Sequence, residues 1–305
     1  MLLSICIPTT DGRAAVLDGT LKSILDSNIA PNSYTYEVVI SDNSHKGEAY
    51  DVARKYLTLG LNVKYYKSKE RTFYNIIESL KLSRGAFIKL HNDYSIFNRG
   101  ELLKMLEFVD KHNITKEQIL FTNGELDFNG YQRFTNFNDF IKKSSYWHTW
   151  ASGFSIWRND FEKLDCSKDN LDPNFPHVSL LFANNNKKDF IINNSAIFTG
   201  QFVKGKGGYN IFKLFCVDYP DMLVGLINRG LITQKTYRAI LVDLRNDFIP
   251  LWLSASVYSS NGLTFDNAGY EENLKHVYGR FDLALIKAIS VKHYLRSYIK
   301  RLFKQ

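Results

Sequence analysis

Cysteine is scarce in this chain. Three occur in 305 residues, Cys6, Cys166 and Cys216, far apart and without C-x-x-C spacing. That excludes a thiolate metal knuckle and a disulfide framework, and an odd, sparse set suits a reducing cytosol. Cys6 stands inside an apolar run and reads as a small buried hydrophobe. Long apolar runs are missing too. No stretch approaches the roughly 18 residues that span a bilayer, so no transmembrane helix is expected. The opening MLLSICIPTT has neither a basic leader nor a full apolar segment, and reads as a strand rather than a signal peptide. No Gly-x-Gly-x-x-Gly follows that strand; Thr9-Thr10-Asp11-Gly12 stands there instead, which excludes the dinucleotide fingerprint. The basic loop Lys204-Gly-Lys-Gly-Gly208 lacks the Gly-Lys-Ser/Thr of a P-loop and reads as a flexible segment. Internal repeats and low-complexity tracts are absent. Acidic residues stop at Asp282, while Lys287, Lys292, Arg296, Lys300, Arg301 and Lys304 follow.

What is present is enough for a sizeable core: 45% hydrophobic and 23% charged residues, with 22 Phe and 18 Tyr. The net charge of +8 favours anionic partners such as nucleotide diphosphates or phospholipid head groups. Much of the excess sits in the tail rather than in a patch on the body, so no nucleic-acid partner is expected.

Along the chain, short apolar runs alternate with segments of helical spacing. Strands are expected at Leu2–Ile7, Tyr36–Ile40, Asn62–Tyr66 and Ala86–Leu90. Helices are expected at Val16–Leu25, Ala49–Leu59 and Phe73–Leu82. This predicts an α/β fold with a mostly parallel central sheet flanked by helices, and ligands at the carboxyl ends of the strands. Those ends are polar: Pro8-Thr-Thr-Asp11, Ser41-Asp-Asn-Ser44 and His91-Asn-Asp93. From Ile211 the pattern turns helical. Two regions follow, 1–210 with the sheet and a helical 211–305. The last helix carries an apolar stripe of Ala284, Ala288, Val291, Leu295, Tyr298 and Leu302, with His293, Ser297, Lys300, Arg301 and Lys304 on another face. It is either docked on the body or lying on an anionic membrane surface.

Four segments, in order, resemble family 2 glycosyltransferases of the GT-A fold: Leu3-Ser-Ile-Cys-Ile-Pro-Thr-Thr-Asp-Gly-Arg13, Glu37-Val-Val-Ile-Ser-Asp-Asn-Ser44, Ser83-Arg-Gly-Ala-Phe-Ile-Lys-Leu-His-Asn-Asp93 and Ala151-Ser-Gly-Phe-Ser-Ile-Trp-Arg158. The third is similar to the family's A-x-G-x-Y-I-x-x-L-D-x-D segment. The resemblance implies a Rossmann-like GT-A domain, to which the helical pattern after Ile211 adds a C-terminal extension, and a nucleotide-sugar donor, UDP-sugar foremost. It also implies a divalent ion, Mn²⁺ or Mg²⁺, and inverting transfer to a saccharide acceptor. The expected setting is surface polysaccharide such as O-antigen or capsule, built on a lipid-linked acceptor by an enzyme peripheral at the cytoplasmic face of the membrane. Two features depart from the family. The DxD position reads His91-Asn92-Asp93, and the Glu-Asp base motif is missing from its expected place.

The residues that the resemblance brings to the donor are Pro8, Thr9, Asp11, Arg13, Asp42, Asn92 and Asp93. Asp93 is the metal candidate, with His91 as a second ligand suited to Mn²⁺. For the acceptor's base the candidates are His177 and Asp172. The rival readings are a catalytically degenerate sugar-nucleotide-binding protein and a basic membrane-associated protein.

Overall fold

The computed structural model describes residues 1–30, 33–259 and 262–302. The seven expected elements of its first 90 residues appear as alternating strands and helices. β1 (Leu3–Thr9), β2 (Tyr36–Asp42), β3 (Val63–Lys67) and β4 (Phe87–Leu90) are joined through α1 (Ala14–Asp26), α2 (Ala49–Thr58) and α3 (Asn75–Lys81). With β8 (Ser155–Trp157) they form one sheet in the order β3-β2-β1-β4-β8. The first four strands run parallel and β8 antiparallel to β4. β1 and β4 are almost wholly buried, as strands covered on both faces must be. Leu3, Ile5 and Ile7 pack with Leu17, Leu21 and Ile24 of α1 in the core.

Pro8 does not end β1, contrary to the expectation from its missing N–H. It pairs with Ser41 inside the strand. The carbonyl of Cys6, two residues earlier, accepts from His91 N on the β4 side. Pro8 faces that same side, and the β1–β4 pairing has already stopped at Cys6–Leu90. No ladder bond is lost there.

Two small sheets complete this unit. One pairs β5 (Ser95–Phe97) with β10 (Phe198–Gly200). The other orders β6 (Gln118–Phe121), β9 (Phe190–Asn193) and β7 (Tyr131–Phe134) as β6-β9-β7. α4 (Glu101–Lys111) lies between β5 and β6 in the chain. The segment Pro176–Ala183 is a helix with proline in its first turn.

Gly85 is where the turn before β4 meets β1. Its N–H donates to Ser4 Oγ at 2.7 Å. A Cβ there would stand 2.6 Å from Leu3 C and Ser4 N, backbone atoms of a central strand that cannot yield. Gly85→Ala is expected to cost about 1–3 kcal/mol through overpacking. Urea denaturation checks this, and an unchanged midpoint would contradict the contact.

The described residues divide into two compact units, 1–140 with 147–203, and 141–146 with those from 204 onward. The second unit is helical: Tyr219–Asn228, Gln234–Asp243, Ile249–Ser256, Tyr270–Lys275 and Arg280–Leu302. Wider π-helical turns at Leu214–Asp218 and Leu244–Phe248 lead into Pro220 and Pro250. A proline ring crowds the carbonyl one turn back, and the extra residue in the turn relieves that. The 204–208 loop is pinned rather than free. Gly205 N and Gly208 N donate to the carbonyls of Gly262 and Thr264, and Thr264 N donates to the Lys206 carbonyl.

The terminal helix departs from expectation in its facing. It packs along Ile249–Ser256, with Ile286 and Ser290 fully buried. Asp282 pairs with Arg245 at 2.6 Å and Lys287 with Glu271 at 2.9 Å. The expected apolar stripe, Ala284, Ala288, Val291, Leu295 and Tyr298, stays exposed, as do Lys292, Arg296 and Lys300. The helix is therefore docked by one face and open on the opposite one. Lys304 lies outside the described residues, as do the side chains of Arg301 and Leu302. No helix among the described residues is long and apolar enough to cross a membrane.

Candidate active site

The parallel strands deliver their polar ends to one edge. Thr9, the last residue of β1, donates its hydroxyl to Asp93 Oδ2 at 2.6 Å. Thr20 of α1 donates to the Asp93 carbonyl at 2.8 Å. Asn75, at the start of α3, ties β1 to β2: Nδ2 donates to the carbonyls of Ser41 (2.9 Å) and Thr9 (3.5 Å), and its Oδ1 accepts from Ser41 Oγ at 2.7 Å. The loops after β1, β2 and β4 are thus one hydrogen-bonded assembly, which brings Thr9, Asp42, Asn92 and Asp93 together.

The roles within it are uneven. Asp42 is wholly buried. Oδ1 accepts from Ser44 N at 2.7 Å, an Asx turn, and Oδ2 accepts from Tyr65 OH at 2.8 Å with Lys67 Nζ 3.7 Å away. Burial, and then the Asp42 carboxylate, push the Tyr65 phenol well above its ordinary value. Asp42 is therefore taken up by protein donors, which does not suit the donor-binding role expected of it. Asp11 is likewise engaged: Oδ1 accepts His45 N and Oδ2 faces His45 Nδ1 at 2.6 Å. Those contacts hold its carboxyl below the usual range. Pro8 lies within β1, one residue before the edge.

His91 does not take the place expected of it. Its ring is fully buried, stacked on Phe97 at 4.8 Å and edge-on to Phe198 at 4.9 Å, with Nε2 2.8 Å from the Ser95 carbonyl. Burial, with Lys89 adding to it, lowers its pKa to about 3. Counting the G-x-Y-I-x-x-L-D-x-D pattern from Gly85 explains this. Leucine falls at 91, and the two carboxylate positions fall at Asn92 and Tyr94. His91 does the packing work of that leucine and does not suit a metal ligand.

A divalent ion at this edge would need several accessible oxygen or imidazole donors. The side chains there do not fit it. Asp11 and Asp42 are occupied on both oxygens, Asp93 receives the Thr9 hydroxyl, and His91 faces the core. Among the described residues no three His, Cys, Asp or Glu groups stand close enough to hold a metal. What the edge does offer is Arg13. Its guanidinium carbon lies 5.9 Å from the Tyr94 ring centroid, and its Nη1 is enclosed without a hydrogen-bond partner. Asn92 Nδ2 donates to Tyr94 OH at 3.1 Å.

Lys89 escapes a reading of the sequence, where a lysine in an apolar strand carries no distinguishing pattern. It is fully buried. Its ammonium donates to the carbonyls of Leu90 (2.8 Å) and Ser152, and sits 5.1 and 5.3 Å from the rings of Phe121 and Phe198. Burial lowers its pKa to about 7. Ser152 Oγ in turn accepts from Asn92 N at 2.8 Å, so Lys89 holds the 151–153 turn against the Asn92 loop.

The two base candidates part company. His177 is buried in the first turn of the Pro176–Ala183 helix, with Nε2 2.9 Å from the Thr149 carbonyl and burial lowering its pKa to about 4. An enclosed imidazole of that kind is not placed to receive a substrate proton. Asp172 is only half-buried. Its Oδ1 accepts from Asn174 N (2.9 Å) and Phe175 N (2.8 Å), while Oδ2 takes part in neither bond. The segment bearing it is tied to the loop after β3. Lys168 pairs with Glu70, and Tyr74 OH donates to the Cys166 carbonyl. Arg71, in the same loop, donates to the Asn43 carbonyl just beyond β2.

Comparisons with known proteins agree with this architecture. Residues 4–166, just over half of the chain, match the model of Glycosyl transferase family 2. No curated protein sequence gives a match. Among solved structures, S. aureus TarS in complex with UDP-GlcNAc is similar at 15% identity and a TM-score of 0.59, over 96% of this chain and 89% of that one. A mannosyltransferase from Pyrobaculum calidifontis, in complex with GDP-Man and Mn²⁺, is similar at 12% identity and a TM-score of 0.50, over 95% and 86%. At such identities the likeness shows the GT-A fold.

Proposed function

The chain belongs to glycosyl transferase family 2 and is a glycosyltransferase, and from that premise we propose that it moves a sugar from a UDP-sugar to a saccharide acceptor with inversion. The observation that carries this reading is the joined edge of β1, β2 and β4, where Thr9, Asn92 and Arg13 frame a place for the donor's diphosphate. UDP leads because TarS was solved with UDP-GlcNAc. In the transfer, the acceptor hydroxyl attacks the anomeric carbon. Its proton passes to Asp172 Oδ2, and the bond to the diphosphate breaks with its electron pair. A screen of UDP-, dTDP-, CDP- and GDP-sugars for donor hydrolysis tests this. Release from a UDP-sugar is the expected result, and no release from any donor would refute the proposal.

The acceptor we propose is lipid-linked, in surface polysaccharide synthesis such as O-antigen or capsule, with the enzyme peripheral at the cytoplasmic face. The open face of the terminal helix supports that. Val291, Leu295 and Ile299 are each about half exposed, and Lys292, Arg296 and Lys300 are exposed on the same helix, with no ion pair among the described residues. Each cation would contribute about 1 kcal/mol near an anionic leaflet. Deleting the helix is the wrong test, because Ile286 and Ser290 are core. The triple change Lys292→Gln, Arg296→Gln and Lys300→Gln is expected to leave the fold intact and weaken binding to phosphatidylglycerol-containing vesicles by about 3 kcal/mol at low salt. Vesicle sedimentation reads this, and equal binding by the variant would remove the electrostatic anchor.

A further inference from the structure

The family pattern's two acidic positions hold Asn92 and Tyr94, which offer an amide and a phenol instead of a carboxylate pair. Beside them stands a guanidinium that the protein leaves partly unsatisfied. We infer that Arg13 does at the donor's diphosphate what a divalent ion would otherwise do, so that sugar transfer by this chain is independent of metal. The inference rests on the glycosyltransferase reading above and deepens it.

The first support is the state of Arg13. Its Nη1 is shut off from solvent yet has no hydrogen-bond partner, and among the described residues Arg13 makes no ion pair. A guanidinium nitrogen enclosed without an acceptor is costly, and it stands on a side chain that is otherwise only half-buried. The acids nearest in the chain do not relieve it. Asp11 is held by His45, and Glu48 accepts from Gly12 N. A phosphate oxygen is the acceptor that geometry and charge call for, since the planar guanidinium donates two parallel bonds to such a group.

The second support is what surrounds it. The guanidinium lies over Tyr94, whose hydroxyl accepts from Asn92 Nδ2. A metal would want anionic oxygens here, whereas a diphosphate held by arginine wants none. α1, which begins at the next residue, has no acid in its first turn to repel an anion. As the anomeric C–O bond breaks, the electron pair left on the diphosphate oxygen meets the N–H donors of Arg13. The proton of the acceptor goes to Asp172, and no other reactant is needed.

Isothermal titration calorimetry with UDP and UMP, each in EDTA and in MnCl₂, tests this on the intact chain. UDP is expected to bind in EDTA within about twofold of its affinity in Mn²⁺. Arg13→Gln should weaken UDP by about 10- to 100-fold, UMP by much less, and Arg13→Lys should recover part of the loss. Transfer in EDTA should keep most of its rate. UDP binding only in Mn²⁺, or Arg13→Gln binding UDP like the parent, would overturn the inference while leaving the glycosyltransferase reading in place. Absence of binding by UDP, dTDP, CDP and GDP under both conditions would overturn the two together.

Discussion

Asp172→Asn is expected to lower sugar-transfer turnover by about 10²- to 10⁴-fold, the range that loss of a general base commonly produces. The substitution is chosen because asparagine keeps what the turn needs. Its side-chain carbonyl can still accept from Asn174 N and Phe175 N, the two bonds that Oδ1 accepts now. It removes only the proton-accepting charge on the other oxygen. Donor affinity and urea stability should therefore hold while kcat collapses. If Asp172 serves the turn alone, the D172N variant would transfer sugar at the parental rate. His177→Ala is the control. Its ring is packed edge-on to Phe154 and bonded to the Thr149 carbonyl, so that change should lower stability and affect turnover comparatively little.

Stability itself should fall steeply on mild acidification. His91, His148 and His177 are buried, and burial brings their pKa values to about 3, about 3 and about 4 from an ordinary 6.5. The unfolded chain takes up protons below pH 6.5 that the folded chain refuses. Their contribution is thus fully present above 6.5 and is lost as pH falls towards the folded values. Each histidine contributes about 1.4 kcal/mol per pH unit in that window, so the three together give about 4 kcal/mol per unit. Carboxylates act lower. Burial alone would raise Glu37, but Lys64, Ser4 and Arg84 N bring it below its ordinary 4.5, and its contribution is lost only as pH falls below that. Urea midpoints at pH 7.5, 6.5, 5.5 and 5.0 should drop most sharply below 6, where the three histidines act together, with a shallower slope remaining above 7 from Lys89, whose pKa burial lowers to about 7. A level profile down to pH 5 would mean that these rings are not enclosed as described.

The sheet is legible in the sequence because its strands announce themselves twice, by apolar runs and by the polar clusters that end them. Ile5, Ile7, Val38 and Ile40 need no further information to be placed in the core. β9 escapes although Phe190-Ile191-Ile192 is an apolar run, because Lys187-Lys188-Asp189 and Asn193-Asn194 around it read as loop. The site is less legible. The strand ends suffice to put Thr9 and Asp93 on one edge. Burial, which separates His91 and His177 from their expected chemistry, is a property of the packed chain and leaves no mark on a polar residue's spelling. The terminal helix shows the limit of periodicity. Its pattern offers one apolar stripe, yet the packed face holds Ile286 and Ser290, where a small hydroxyl allows close approach to the Ile249–Ser256 helix. Spacing names a face without saying what meets it.

That helix has a consequence for how the protein can change over generations. Its two faces answer to different demands. A substitution at Ile286 or Ser290 is judged by whether the chain folds. One at Val291, Leu295 or Ile299 touches the half-exposed side, and bears little on whether it folds. Under the membrane attachment proposed above, residence on a surface would drift, strengthen or vanish within a lineage while the sheet unit is left untouched.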